Sequence, residues 1–173
     1  HYGRQWESAT QDADGVTCEM LDPSTGETSR IRSRYLIGCD GAGSRVRKAI
    51  GIEMEGPALL QSFVMIHVAA DLRPLVADRP GVLHFVLDPE ADGVFVAHDI
   101  DREWVFMRPY DADVESVDDY DVDRCRGIVL DAIGVEHDIE IIDVGTWWMS
   151  AQIADDMRRD RIFLAGDAAH RFP

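Results

Sequence analysis

The chain lacks the residues that would build a disulfide scaffold, a metal site, a membrane span or a nucleic-acid surface. It has three cysteines, Cys18, Cys39 and Cys125. An odd number without C-x-x-C spacing excludes a paired framework or a zinc knuckle and fits a reducing cytoplasm. The six histidines, His1, His67, His84, His98, His137 and His170, contain no H-x-H or H-E-x-x-H pair, so no two imidazoles are placed for one metal and none is expected. Apolar runs are no longer than a strand, which leaves neither a membrane span nor a signal peptide. Positive charge is scarce: 17 Lys and Arg stand against 33 Asp and Glu, a net charge of −16. Such a surface repels phosphate backbones and anionic lipid, so nucleic acid and membrane are not expected partners. The acids crowded from Asp111 to Asp123 read as a solvated loop and the start of a helix.

Two further absences bear on completeness. No G-x-G-x-x-G follows a strand, and the chain opens His1-Tyr2-Gly3 without an initiator Met and ends at Pro173. It therefore reads as a fragment of a longer protein. No nucleophile and base stand in a recognisable pattern, and no catalytic residue is assigned.

The elements present are mostly strands. A meander is expected from Tyr2 to Thr10, Val16 to Leu21 and Arg30 to Cys39, broken at Asp12-Ala13-Asp14-Gly15 and Asp22-Pro23-Ser24-Thr25-Gly26. Ser44 to Ile50 reads as a short helix stopped by Gly51. Four more strands follow, Phe63 to Ala70, Val82 to Leu87, Val94 to Ile100 and Trp104 to Tyr110, with hairpin turns between them. Val122, Cys125, Ile128, Val129, Ala132 and Ile133 recur at helical steps, which predicts a helix capped by Asp118 or Asp119 and ended by Gly134. A strand from Ile139 to Met149 and a buried strand from Arg161 to Ala165 close the chain. The fold class is α/β with α+β character.

Two strings carry the functional signal: Tyr35-Leu36-Ile37-Gly38-Cys39-Asp40-Gly41-Ala42-Gly43-Ser44-Arg45-Val46-Arg47 and Arg161-Ile162-Phe163-Leu164-Ala165-Gly166-Asp167-Ala168-Ala169-His170. Each is an apolar run that stops at a Gly/Asp pair, as a buried strand does where backbone and carboxylate meet a polyhydroxylated or phosphorylated ligand. In this order they resemble the DG and GD motifs of the FAD-dependent aromatic monooxygenases, the family of para-hydroxybenzoate hydroxylase and phenol hydroxylase. Tyr35 departs from the pattern, which usually has a charged residue there; Arg34 could supply the charge.

The resemblance implies a split FAD-binding domain portion over residues 1–56 and 151–173, with an antiparallel meander, and a mixed or antiparallel sheet-and-helix substrate domain over 57–150. It implies that Asp167, beside Gly166, binds the ribityl chain and that a helix follows it. It further implies that Asp40 and Gly41 act on the pyrophosphate side, and that Arg47 holds the motif and the nicotinamide nucleotide. The implied cofactors are FAD and NAD(P)H. The implied reaction is hydroxylation of an aromatic, phenolic substrate, with O2 as the source of the inserted oxygen.

Phe95, His98 and Pro173 are candidate substrate contacts, although alternation alone cannot say which face of the strand Val94–Ile100 meets a ligand. Relatives acting on a polyketide, an antibiotic or a quinone precursor remain alternatives. So does a non-catalytic, stand-alone sheet domain that meets a partner through its acidic surface. A homodimer is one arrangement open to the intact enzyme.

Overall fold

The computed structural model describes residues 2–173. The chain divides into two compact units, His1–Ala58 with Ser150–Pro173, and Leu59–Met149.

The first unit opens with β1 (Gln5–Gln11), β2 (Val16–Leu21) and β3 (Thr28–Ser33), an antiparallel sheet in that order. Asp12 shapes the first turn by accepting hydrogen bonds from the Asp14 and Gly15 amides. The strand expected to run from Arg30 to Cys39 is in fact two. Ser33 Oγ donates to the Tyr35 carbonyl at 2.8 Å, and the chain turns there. β4 (Leu36–Gly38) then leaves the meander for a different sheet. α1 (Arg45–Ala49) and β5 (Met54–Glu55) complete this segment.

The second unit is a five-stranded sheet covered on one face by a helix. β6 (Gln61–Ala69) is followed by α2 (Arg73–Val76), which the hydrophobic pattern does not reveal, and then by β7 (Leu83–Val86), β8 (Gly93–Asp99) and β9 (Glu103–Tyr110). α3 (Val122–Ile133) and β10 (Glu140–Met149) follow, and the spatial order is β10-β6-β9-β8-β7, with every pairing antiparallel. β6 alternates strictly, with Val64, Ile66 and Val68 buried and Phe63, Met65 and His67 half-buried. The buried set packs with Phe95, Trp104 and Phe106 and with Cys125, Ile128 and Val129 of α3. Removing such side chains from water drives this unit's folding, at about 1.5–3 kcal/mol for each large apolar residue. The cap of α3 is Asp121, whose carboxylate accepts from the Arg124 amide at 2.8 Å. Asp118 and Asp119 lie one turn earlier, in a 3₁₀ turn that Ser116 caps. Gly134 ends α3 with φ +77°, a left-handed conformation that glycine adopts without steric cost.

The chain then returns to the first unit through β11 (Gln152–Ala154), β12 (Arg158–Arg159), β13 (Ile162–Leu164) and β14 (His170–Arg171). β13 pairs in parallel with β4, Leu36 opposite Ile162 and Gly38 opposite Leu164. The core here gathers Val16, Cys18, Val46, Ile52, Ile162, Leu164 and Ala169. The GD string itself forms a 3₁₀ turn, Gly166–Ala168, that leads through Ala169 into β14. No helix among the described residues is long and apolar enough to cross a membrane.

Candidate functional site

Parallel pairing of β4 and β13 brings both Gly/Asp strings to the carboxyl edge of one small sheet, where open α/β sheets bind ligands. Gly38 makes the approach possible. A Cβ there would lie 2.9 Å from Val46 Cγ1 and 3.2 Å from Leu164 Cδ2, so any other residue would push β4 away from α1 and β13. The Ala165 amide donates to the Gly38 carbonyl at 3.0 Å and carries the pairing into the loops.

The two aspartates beside these strands behave differently. Asp40 points into its own loop: Oδ1 accepts from Ser44 Oγ at 2.5 Å, and Oδ2 from the Arg45 and Val46 amides at 2.7 and 3.0 Å. Burial opposes its charged form, but the Ser44 hydroxyl and the Val46 and Arg45 amides outweigh that, and the carboxyl sits below its ordinary value of 3.8. Both oxygens of Asp40 are thus bonded within the chain, where they fold the DG loop. Asp167 is exposed, makes no capping bond in its 3₁₀ turn, and has no hydrogen-bond partner among the described residues. Its carboxylate is free to accept from a ligand hydroxyl.

Arg47 is buried, only 5% exposed. Nη1 donates to the Ala168 carbonyl at 3.0 Å and Nη2 to the Ala42 carbonyl at 3.1 Å, so one guanidinium ties the DG loop to the GD turn. Gly41 and Gly166 have φ of +79° and +59°. At Gly41, Gly43 and Gly166 nothing lies within 4 Å of where a Cβ would stand, which leaves a cradle of bare backbone open to a ligand that must come close. Sequence reasoning missed Arg171, whose Nη2 also donates to the Ala42 carbonyl, at 3.0 Å. That acceptor lies far away in sequence, and no local pattern announces it.

The candidate substrate contacts do not gather. Phe95 is buried on the helix-covered face of its sheet, 4.5 Å from Phe106 ring to ring. There it borders a cavity of about 410 Å³ together with Leu75, Val76, His84, Val86 and Trp104. His98 lies on the opposite face, exposed, with its ring centroid 6.1 Å from that of His67. Alternation along β8 places Phe95 and His98 on opposite faces, so they cannot line one wall. The face of His98 also carries Val94, Val96, Met65, Met107 and the Phe63–Trp147 pair, whose centroids are 5.5 Å apart. Pro173 is exposed beyond β14. Among the described residues no three His, Cys, Asp or Glu side chains gather as a metal site.

A family model described as an FAD binding domain matches residues 1–173. Tetracenomycin B2 monooxygenase-dioxygenase of Streptomyces olivaceus is 38% identical over 96% of this chain and 31% of its own length. For 2,4-dichlorophenol 6-monooxygenase of Cupriavidus pinatubonensis the identity is 34%, over 94% of this chain and 28% of its own. Among solved structures, the flavin-dependent monooxygenase PieE in complex with FAD and substrate superposes with a TM-score of 0.87 and 34% identity, covering 99% of this chain and 30% of that one. The chain thus spans about a third of the length of the curated relatives it matches.

Proposed function

The chain belongs to the FAD binding domain family, and from that premise we propose that the protein it is part of is a flavin-dependent monooxygenase that hydroxylates an aromatic substrate with NAD(P)H and O2. The observation that carries this reading is the shared edge of β4 and β13, where a bare glycine cradle lies beside a carboxylate with no hydrogen-bond partner among the described residues. These residues fit a flavin nucleotide: close backbone approach suits its phosphates and ribityl chain, and an unpaired carboxylate suits its hydroxyls. FAD, once bound, supplies the hydride acceptance and oxygen transfer that amino-acid side chains cannot.

The chain's own residues hold and orient that group. Asp167 accepts from a ribityl hydroxyl, Gly41, Gly43 and Gly166 let the backbone approach, and Arg47 keeps the two loops in register. Asp40 contributes by fixing the loop. In the unit Leu59–Met149, which we read as the substrate domain, the uncovered sheet face with His98, Met65 and the Phe63–Trp147 pair is the surface we assign to the ring, since flat aromatic and thioether side chains suit a planar substrate.

The substrate class is a phenolic ring, free or within a polyketide; one relative is a 2,4-dichlorophenol monooxygenase and another a tetracenomycin monooxygenase-dioxygenase. We place the reaction in the cytoplasm, consistent with free thiols at Cys18, Cys39 and Cys125. Purified full-length protein should carry yellow flavin and consume NAD(P)H faster when a phenolic polyketide or a simple phenol is added, with oxygenated product found by mass spectrometry. A colourless protein that no such compound stimulates would defeat the reading.

A further inference from the structure

Arg171 is buried at its Nε, which has no acceptor, and it forms no ion pair among the described residues. The residue as a whole is half-buried, but an Nε–H shut off from water without an acceptor costs free energy, so its placement calls for an explanation beyond packing. Its one bond, from Nη2, goes to the carbonyl of Ala42, which Arg47 Nη2 already holds. Two guanidinium groups, one from each side of the site, thus fix a single peptide oxygen. A planar trans peptide points its carbonyl and its N–H in opposite directions. With the Ala42 oxygen held toward the arginines, the N–H of Gly43 is turned away from them. That N–H has no acceptor among the described residues, Gly43 is exposed, and nothing lies within 4 Å of its absent Cβ.

We propose that Arg171 is a positioning residue that fixes the direction of the Ala42–Gly43 peptide and so presents the Gly43 N–H to a pyrophosphate oxygen of a bound dinucleotide. The inference rests on the flavin-site reading above. A pyrophosphate occurs in both FAD and NAD(P)H. Without Arg171, Arg47 alone holds the carbonyl, and the peptide gains freedom to rotate. The group lost is then one preorganised donor to an anion, while contacts to the flavin ring and ribityl chain are unaffected.

The test uses full-length protein with Arg171→Met, which keeps an unbranched apolar stem in place of the alkyl part of Arg171 and removes the donors. FAD and riboflavin are titrated separately into apoprotein, and NAD(P)+ into FAD-loaded protein. Riboflavin has the ring and ribityl chain but no phosphate. If the FAD pyrophosphate is the partner, the variant binds FAD about tenfold more weakly, the loss of one charge-assisted hydrogen bond, and binds riboflavin as wild type does. If the nicotinamide dinucleotide is the partner, FAD and riboflavin hold steady and NAD(P)+ weakens by a similar factor. Either result supports the proposal and identifies the source of the phosphate. Unchanged affinities, or a parallel loss of FAD and riboflavin, would overturn it and leave Arg171 a packing residue. Arg171→Lys, which keeps one donor within reach of Ala42, should recover most of the FAD preference; if Arg171→Met does not accumulate, Arg171→Gln is read by the same ratio. Wild-type protein that binds neither FAD nor riboflavin would instead sink the flavin reading itself.

Discussion

Asp40 and Asp167 each sit beside a glycine just past the end of a strand in one small sheet, yet one carboxylate is satisfied within the chain and the other faces outward. Their substitutions should therefore separate. Asp167→Ala should weaken FAD binding by about 1.5–3 kcal/mol while the apoprotein melts as wild type, because the lost partner is a ligand hydroxyl. Flavin fluorescence titration beside a thermal melt checks both halves. Asp40→Asn should act on stability. The folded carboxyl is held below 3.8, so its contribution is complete above the unfolded value and disappears as pH falls through the lowered folded one. Denaturant midpoints should show the variant less stable than wild type at pH 7, with the gap closing below about pH 4; a gap constant across pH would contradict the assignment. Arg47→Lys keeps charge but cannot reach two carbonyls from one planar group. We expect it to loosen the link between the loops, seen as faster hydrogen exchange at Ala168 and Ala42 neighbours and as weaker FAD retention.

Local pattern predicted elements well where one face is buried and poorly where the chain changes partner. A long apolar run marked β6, helical spacing marked α3, and the turns at Asp12 and Asp22 marked the meander. The division between β3 and β4 was hidden because Arg30 to Cys39 has no proline or turn cluster; the break comes from a serine hydroxyl bonding two residues ahead. α2 escaped because its four residues, with proline inside its first turn, are too few to display a helical period. The cap of α3 was misplaced because several aspartates precede it, and only backbone direction distinguishes Asp121 from its neighbours. Asp121→Ala should cost about 1 kcal/mol, measured by urea unfolding, whereas Asp118→Ala should cost much less. Of the shared edge, the glycines and the place of Asp167 at the end of β13 were legible in the sequence. The two arginines on Ala42 were not, since their role depends on acceptors that only the fold brings near.

At the scale of the whole molecule, the strand pair that makes the site joins distant parts of the sequence, with the unit Leu59–Met149 inserted between them. Pairing of Leu36 with Ile162 must close a long loop, and its entropic cost is met only after the intervening chain has organised. During synthesis β4 emerges long before β13 exists, and among the described residues the sheet order β12-β13-β4 gives it no other neighbour. The inserted unit, in which β7, β8 and β9 follow one another as hairpins, can reach its own core first. Pulse-labelling hydrogen exchange during refolding should accordingly protect β6 and β9 before Leu36–Gly38. Any nascent or truncated chain that stops before Ile162 would present a short apolar strand, with Ile37 already 62% exposed even in the finished fold, as a sticky edge. The geometry that gathers the two motifs at one edge thus also sets an order of folding, in which this edge closes after the inserted unit.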